Sequence, residues 1–99
     1  MRNFRTLDLA ILFYRAQESL RLAQHLRSQL SRAAASVVLN LSEGQTRPTA
    51  KDRRRFYYMA FGSIKECKSI LDLAQVNDAK IFDLADHVAA STYKLCKAL

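Results

Sequence analysis

Basic and aromatic residues meet near the middle of this chain, at the entrance of a predicted helix. Lys51 and the consecutive arginines 53–55 come first, and the stretch FYYMAF follows at residues 56–61. Arginine suits phosphate because its planar guanidinium donates paired hydrogen bonds to phosphate oxygens. Tyrosines one turn away from such cations suit the stacking of unpaired bases. The stretch therefore indicates either contact with RNA or single-stranded DNA, or a protein–protein contact made by the rings.

The candidate nucleic-acid contacts are the cations around this entrance. They are Arg47, Lys51, Arg53, Arg54, Arg55 and Lys65. Cations at a helix N-terminus oppose the helix dipole, so another interaction must favour them. An acidic partner would do so, and so would an ion pair between Arg55 and Glu43 of the preceding helix. No recognised nucleic-acid motif accompanies these cations, so the signal is one of composition.

The distribution of charge is compatible with a polyanionic partner. The formal net charge is +7, and residues 1–68 carry thirteen Lys and Arg against five Asp and Glu. Residues 69–99 carry three against four, so the whole excess belongs to the first two-thirds of the chain. Nucleic acid is the commonest partner of such a surface. A basic surface with no partner accounts for the same charge equally well.

The sequence contains no recognisable combination of catalytic residues. His25 and His87 are isolated, Cys67 and Cys96 match no metal or redox spacing, and no glycine-rich phosphate loop is present. We therefore predict that the protein is not an enzyme and needs no metal or cofactor. The cysteines are expected to be buried, reduced thiols, which suits a cytoplasmic protein. Because no uncharged run approaches the roughly 20 residues that span a bilayer, no membrane partner is expected.

Helical periodicity divides the chain into four elements. One domain, residues 1–99, is predicted, with helices over about residues 7–21, 26–43, 50–75 and 78–98. Gly44 suits the left-handed position that ends a helix, Thr49 suits the cap of the third helix, and Asn77 or Asp78 that of the fourth. With two glycines and one proline, the connections must be short. The predicted fold class is all-α, a left-handed, antiparallel up-down-up-down four-helix bundle.

The third predicted helix carries more apolar surface than one bundle requires. At about 100° per residue, its apolar arc covers roughly two-thirds of the helical wheel. Exposed patches of that size are uncommon on monomers, so self-association is the simplest expectation. The candidate interface residues are Tyr57, Tyr58 and Phe61.

A polar seam is predicted between the second and third helices. On the second helix, five polar residues recur at steps of three or four and therefore share one face: Gln29, Arg32, Ser36, Asn40 and Glu43. Ser63 and Glu66 are the seam residues on the third helix. If the two helices pack antiparallel, the residue numbers of facing side chains add to a constant. The pairs Arg32–Glu66, Ser36–Ser63, Asn40–Met59 and Glu43–Arg55 all add to 98 or 99. The register therefore predicts two paired serines flanked by two ion pairs, which would specify the packing more than stabilise it.

These same residues carry a family resemblance. The stretches QLSRAAASVVLNLSEG and RRFYYMAFGSIKECKSILDLA resemble the proteins encoded in intervening sequences of bacterial 23S (large-subunit) ribosomal RNA genes. The residues that match the family pattern are Gln29, Arg32, Ala33, Ser36, Asn40, Glu43, Gly44, Ala60, Gly62, Ser63 and Glu66. The connection before Gln29, RLAQHLRS, is shorter than in many relatives.

The resemblance implies a four-helix bundle that assembles as a ring-like homo-oligomer, with a pentamer favoured. The family is similar to the accessory proteins of diversity-generating retroelements, which are basic pentamers that bind a reverse transcriptase and nucleic acid. Two hypotheses follow for this chain. One is an oligomeric module that binds RNA or single-stranded DNA, and the other is a protein-interaction scaffold, such as a reverse-transcriptase accessory subunit, whose charge is incidental.

Overall fold

Four helices account for most of residues 4–98, the part of the chain that this computed structural model describes. They are α1, Arg5–Gln17; α2, Gln24–Thr46; α3, Ala50–Leu73; and α4, Ala79–Ala98. Within residues 4–98 there is no β-strand. The prediction of an all-α fold with four helices is therefore confirmed.

Each helix packs against two neighbours. α2 packs on α3, α3 on α4, and α1 on both α2 and α4. The molecule measures 40 × 23 × 22 Å, and its long axis matches the roughly 36 Å rise of a helix as long as α3. The largest fully buried apolar side chains come from all four helices: Phe13, Leu30, Val37, Leu41, Ile64, Cys67, Leu71, Val88 and Cys96. One core thus joins the four helices.

The predicted caps of α3 and α4 are present. The Thr49 hydroxyl accepts a hydrogen bond from the amide of Asp52 at 3.1 Å. Of the two candidates for α4, Asp78 is the cap, because its Oδ1 accepts from the amides of Lys80 at 3.0 Å and Ile81 at 3.3 Å. Both caps satisfy amides that a helix start leaves without partners.

The prediction that Gly44 ends the second helix in a left-handed conformation is wrong. α2 continues to Thr46, and neither glycine has a positive φ. Gly44 instead allows close packing: a Cβ built on it would lie 2.7 Å from Tyr57 Cε1 and 3.1 Å from Phe56 Cβ. The glycine is therefore explained by the contact between α2 and α3 rather than by a turn.

The first helix ends earlier than its apolar pattern predicts, at Gln17 instead of near Arg21. No glycine or proline stands there. The guanidinium of Arg27, on the first turn of α2, donates to the backbone carbonyls of Gln17 at 2.7 Å and Leu20 at 3.1 Å. A side chain ten residues away thus satisfies carbonyls that a longer helix would have satisfied.

The apolar excess on α3 is smaller than the sequence predicts. Its neighbours cover most of the apolar side chains of this helix, and those that remain largely exposed are Tyr58 (42%), Met59 (40%) and Leu73 (70%). Leu12 on α1 (55%) and Leu39 on α2 (66%) are exposed to a similar degree. The uncovered apolar surface is therefore shared among helices, and a part of it lies opposite the predicted interface.

Candidate functional site

The cations nearest the α2–α3 turn are organised by one aromatic ring. The guanidinium carbons of Arg47 and Arg55 lie 4.8 and 4.5 Å from the centroid of the Phe56 ring. Arginine stacks favourably on aromatic faces, and such contacts restrict its rotamers. Nη1 of Arg53 donates to the backbone carbonyl of Arg47 at 2.9 Å, which ties the turn to α3. We call Arg47, Arg53, Arg55 and Phe56 the turn cluster.

The predicted ion pair between Glu43 and Arg55 is wrong. Glu43 pairs with Arg47, four residues later, and Arg55 Nε lies 3.9 Å from Asp52 Oδ1. The reason is local: α2 extends past Glu43, so the side chain four positions on is its nearest cation. These pairs are exposed and contribute little to stability.

The other three predicted cations lie outside the turn cluster. Lys51, Arg54 and Lys65 follow one side of α3, and Lys51 and Lys65 are exposed. Arg54 is half-buried, and its Nε has no hydrogen-bond partner within residues 4–98. The six predicted contacts therefore form two groups, one at the turn and one along α3.

Tyr57 does not lie where the sequence suggests. It is buried, with 6% of its surface exposed, and its ring packs on Phe4 with the ring centroids 6.3 Å apart. The same ring packs closely against Gly44. Tyr57 is therefore part of the hydrophobic core within one subunit. Neither base stacking nor subunit contact is available to it. Tyr58 and Phe61, the other two predicted interface residues, remain exposed and half-buried.

The predicted seam is present at its centre. Ser36 Oγ and Ser63 Oγ lie 2.8 Å apart, and Asn40 Nδ2 donates to the carbonyl and the hydroxyl of Ser36 at 2.9 and 3.0 Å. Arg32 and Glu66 are exposed and form no ion pair in the described part of the chain. Gln29 is also exposed. The short side chains thus meet across α2 and α3, whereas the long charged ones extend into solvent.

Two surfaces were missed by the sequence reasoning. On α3 and α4, the Phe61 and Tyr93 rings lie 5.4 Å apart, with Lys65 and Lys97 over them. On the opposite pair of helices, an apolar groove of about 310 Å³ is lined by Ile11, Tyr14, Arg15, Ala35, Val38 and Leu39. Tyr93 and Lys97, four residues apart on the polar side of the fourth helix, were the available signal for the first. The groove depends on how two helices pack, which no local pattern records.

Both cysteines are buried free thiols. Burial, and to a lesser extent the neighbouring charge of Glu66, raises the pKa of Cys67 from 9.0 to about 12. Burial also raises the pKa of Cys96. The thiolate is the reactive form, so these groups are unsuited to nucleophilic chemistry near neutral pH.

The raised pKa of Cys67 predicts a loss of stability at alkaline pH. Above pH 9 the unfolded chain loses a thiol proton that the folded chain retains until about pH 12. The free energy of unfolding should therefore fall between these pH values, by at most about 1.4 kcal/mol per pH unit from this group. Urea unfolding at pH 8 and pH 10 measures it. Cys67→Ala should lose less stability over this interval than the native chain, and an equal loss would contradict the assignment.

The described residues contain neither a metal-binding cluster nor a membrane-spanning helix. Across residues 4–98, no group of three or more His, Cys, Asp and Glu side chains is placed to hold a metal ion. None of the helices in the described residues is long and apolar enough to cross a membrane.

These observations define a class of protein: a small, basic, four-helix all-α chain with cations and aromatic rings grouped along α3. The family model described as 23S rRNA-intervening sequence protein matches residues 5–99. The chain therefore belongs to this family, as its motif residues indicated. Neither the comparison with curated proteins nor the comparison with solved structures gives a match.

Proposed function

We propose that this protein is a non-enzymatic, homo-oligomeric helical bundle that binds RNA or single-stranded DNA through its basic surface. The turn cluster is the observation that carries this proposal. The guanidinium groups of Arg47 and Arg55 lie over the Phe56 ring, which restricts their rotamers, and the exposed Lys51 precedes Arg55 by four residues on α3. A guanidinium that is already ordered loses less entropy when it binds a phosphate.

Charge supports the same conclusion. Arg47 and Arg55 each contact one carboxylate, but both are surface pairs that phosphate oxygens compete with easily. An arginine has five N–H donors, and one carboxylate occupies at most two. With Lys51, Arg54 and Lys65 farther along α3, cations extend from the turn over about 20 Å of helix. Such a surface attracts a polyanion over the screening length of physiological salt.

The subunit contact is proposed at the α1–α2 groove rather than at Tyr57. Leu39, which lines this face, is 66% exposed, and the groove of about 310 Å³ between the helices is lined mainly by apolar side chains. Met59 and Leu73, exposed on α3, belong to a different face and would supply the complementary side chains of the next subunit. A contact between two different faces is heterologous, and it forms a ring when the rotation from one subunit to the next closes on itself. We propose that each subunit is an antiparallel, left-handed bundle. Subunits joined in this way would form the ring-like homo-oligomer that the family resemblance implies, with a pentamer favoured.

The second candidate is a protein-interaction scaffold, such as an accessory subunit of a reverse transcriptase. The α1–α2 groove favours it, because an exposed apolar groove also suits a helix of another protein. In that case the positive charge is incidental, and nucleic acid does not bind.

Binding of a mixed-sequence single-stranded oligonucleotide, followed by fluorescence anisotropy over a range of salt concentrations, distinguishes the two functions. We expect the logarithm of the affinity to fall linearly with the logarithm of salt concentration, with a slope of about −0.7 per phosphate contact. The triple variant Arg47→Gln, Lys51→Gln, Arg55→Gln should reduce that slope by about 2.

A matched control removes three exposed cations elsewhere. Arg21→Gln, Lys80→Gln and Lys94→Gln lower the net charge equally but lie away from the turn cluster. The control should retain most of the affinity. Absence of binding at low salt, or equal losses in both triple variants, would refute a nucleic-acid site at the turn. Light scattering on the same samples gives the subunit number, and a monomer would refute the ring.

A further inference from the structure

The α3–α4 face carries a cluster of rings and lysines that the turn cluster does not include. We call Tyr58, Phe61, Lys65, Tyr93 and Lys97 the platform. The Phe61 and Tyr93 rings have centroids 5.4 Å apart and are tilted by 47°. Lys65 Nζ lies 5.8 Å from the Phe61 centroid, and Lys97 Nζ lies 5.3 Å from the Tyr93 centroid. Tyr58 adjoins Lys97, whose pKa is raised by Tyr58 first and then by Tyr93.

The rings of the platform are accessible. Tyr58 is 42% and Tyr93 44% exposed, so a flat apolar ligand reaches them without any rearrangement of the core. Exposed tyrosines on two adjacent helices offer π-faces side by side. The ammonium group that lies over each ring stands at the end of a flexible side chain. Each lysine can therefore move to a nearby anion while the ring binds the ligand.

The platform is also positively charged without local compensation. In the described part of the chain neither Lys65 nor Lys97 forms an ion pair, whereas Lys68, three residues beyond Lys65 on α3, is bound to Asp86 at 2.7 Å. The ligand that fits is therefore one with flat apolar groups and regularly spaced anions. Single-stranded nucleic acid has both, because its bases are unpaired and its backbone carries phosphates.

Two other occupants fit less well. Lysine is depleted in the cores of protein–protein interfaces, so the two lysines over the rings disfavour a subunit contact there. In a duplex the bases are stacked on each other, and only backbone charge would meet the platform.

The platform continues toward the turn cluster. Lys51, Arg54, Tyr58, Phe61 and Lys65 succeed one another at steps of three or four residues, so they share the outward side of α3. At 1.5 Å per residue this stripe is about 21 Å long. Cations stand at both ends and rings in the middle, and a single strand laid along it would place phosphates at the ends and bases at the centre.

We propose that the platform binds single-stranded RNA or DNA by stacking bases on Tyr58 and Tyr93, with Lys65 and Lys97 receiving the adjacent phosphates. This inference rests on the proposed function but adds a location and a requirement for unpaired bases. Recognition by rings is independent of base sequence, because every base has a π-face.

The test compares three probes of equal length: a mixed-sequence single strand, the corresponding duplex, and a strand of abasic nucleotides. The native chain should bind the single strand at least about tenfold more tightly than the abasic strand at the same salt concentration. Tyr58→Leu and Tyr93→Leu should each weaken binding of the single strand about tenfold, and leave the affinity for the abasic strand unchanged. Tyr58→Phe and Tyr93→Phe keep the π-face and should restore the native affinity.

A second measurement needs no variant. Photocrosslinking of a 4-thiouracil-containing strand to the native chain, followed by peptide mapping, should label Tyr58, Phe61 or Tyr93. Labels confined to other residues would overturn the proposal.

The outcomes separate the two proposals. Equal affinity for all three probes, with a steep salt dependence, would preserve the proposed function and overturn the platform. No binding of any probe would remove both. If the leucine variants change the molar mass in light scattering and leave binding unaltered, the platform is a subunit contact and the proposal fails.

Discussion

Replacing Arg27 by methionine is expected to lower the free energy of unfolding by about 3 kcal/mol. Arg27 Nη1 donates to Gln17 Oε1 at 2.7 Å and to Ser31 Oγ at 3.1 Å, while Nη2 donates to the carbonyls of Gln17 and Leu20. Gln17 is completely buried, so its side-chain oxygen has no access to water when the guanidinium is removed. Methionine keeps the apolar stem and removes the donors, which leaves two backbone carbonyls and one amide oxygen without this partner.

Thermal and urea unfolding of the variant measure this loss, and two controls accompany it. Arg21→Met changes an exposed arginine in the connection between α1 and α2 and should stay within about 0.5 kcal/mol of the native value. Arg27→Lys retains the charge, but a single ammonium cannot span Gln17 and Leu20, so an intermediate loss is expected. A neutral effect of Arg27→Met would mean that solvent replaces the guanidinium at no cost.

The end of α1 shows where reasoning from the sequence stops. Helical periodicity identified all four helices because apolar spacing is a local property. The last turn of α1 is decided by Arg27, which acts through space on a helix in which it does not lie. The end of α3 has no glycine to mark it either: Gln75 takes the left-handed conformation (φ 55°) that glycine more commonly adopts, and the amide of Val76 donates to the carbonyl of Leu71 at 3.1 Å. Boundaries that depend on tertiary contacts have no signature in a short stretch of residues.

The seam between α2 and α3 shows which contacts follow from helix register. Ser36 was predicted to face Ser63, and their hydroxyls do meet. Glu43 was predicted to pair with Arg55, but it pairs with Arg47 instead. The Oγ of serine is positioned by a single side-chain torsion, so the register of the two backbones decides which residue it contacts. Arginine and glutamate have several side-chain torsions, so they reach whichever opposite charge is nearest.

The candidate site was predicted in composition but not in arrangement. The sequence indicated cations beside rings, and the structure places some of them in the turn cluster, some in the platform, and Lys51 and Arg54 on the side of α3 that leads to the platform. Tyr57 and Tyr58 are adjacent in sequence and looked equivalent, yet one is buried and the other is 42% exposed. A residue step of about 100° turns one ring into the core and the next into solvent. Tyr93 and Lys97 join Tyr58 only because α4 packs beside α3.

The two glycines of the chain provide the second large effect on stability. Both lie inside helices, Gly44 in α2 and Gly62 in α3, and neither has a positive φ. Intrinsic helix propensity alone therefore predicts that alanine would stabilise the chain by about 1 kcal/mol at each position. The surroundings differ: a Cβ at Gly62 would meet nothing within 4 Å, whereas a Cβ at Gly44 would lie 2.7 Å from Tyr57 Cε1.

Gly44→Ala is consequently expected to destabilise the fold by about 2 kcal/mol, since overpacking of a close contact exceeds the gain in propensity. The Tyr57 ring cannot retreat easily, because it is buried and packs on Phe4, and Phe56 Cβ lies close on the same side. Gly62→Ala is the matched control and should raise the free energy of unfolding by up to about 1 kcal/mol. Urea unfolding of the two variants beside the native chain measures the difference in sign. Stabilisation by both substitutions would show that α2 and α3 separate at little cost, and the explanation of Gly44 as a packing glycine would then be wrong.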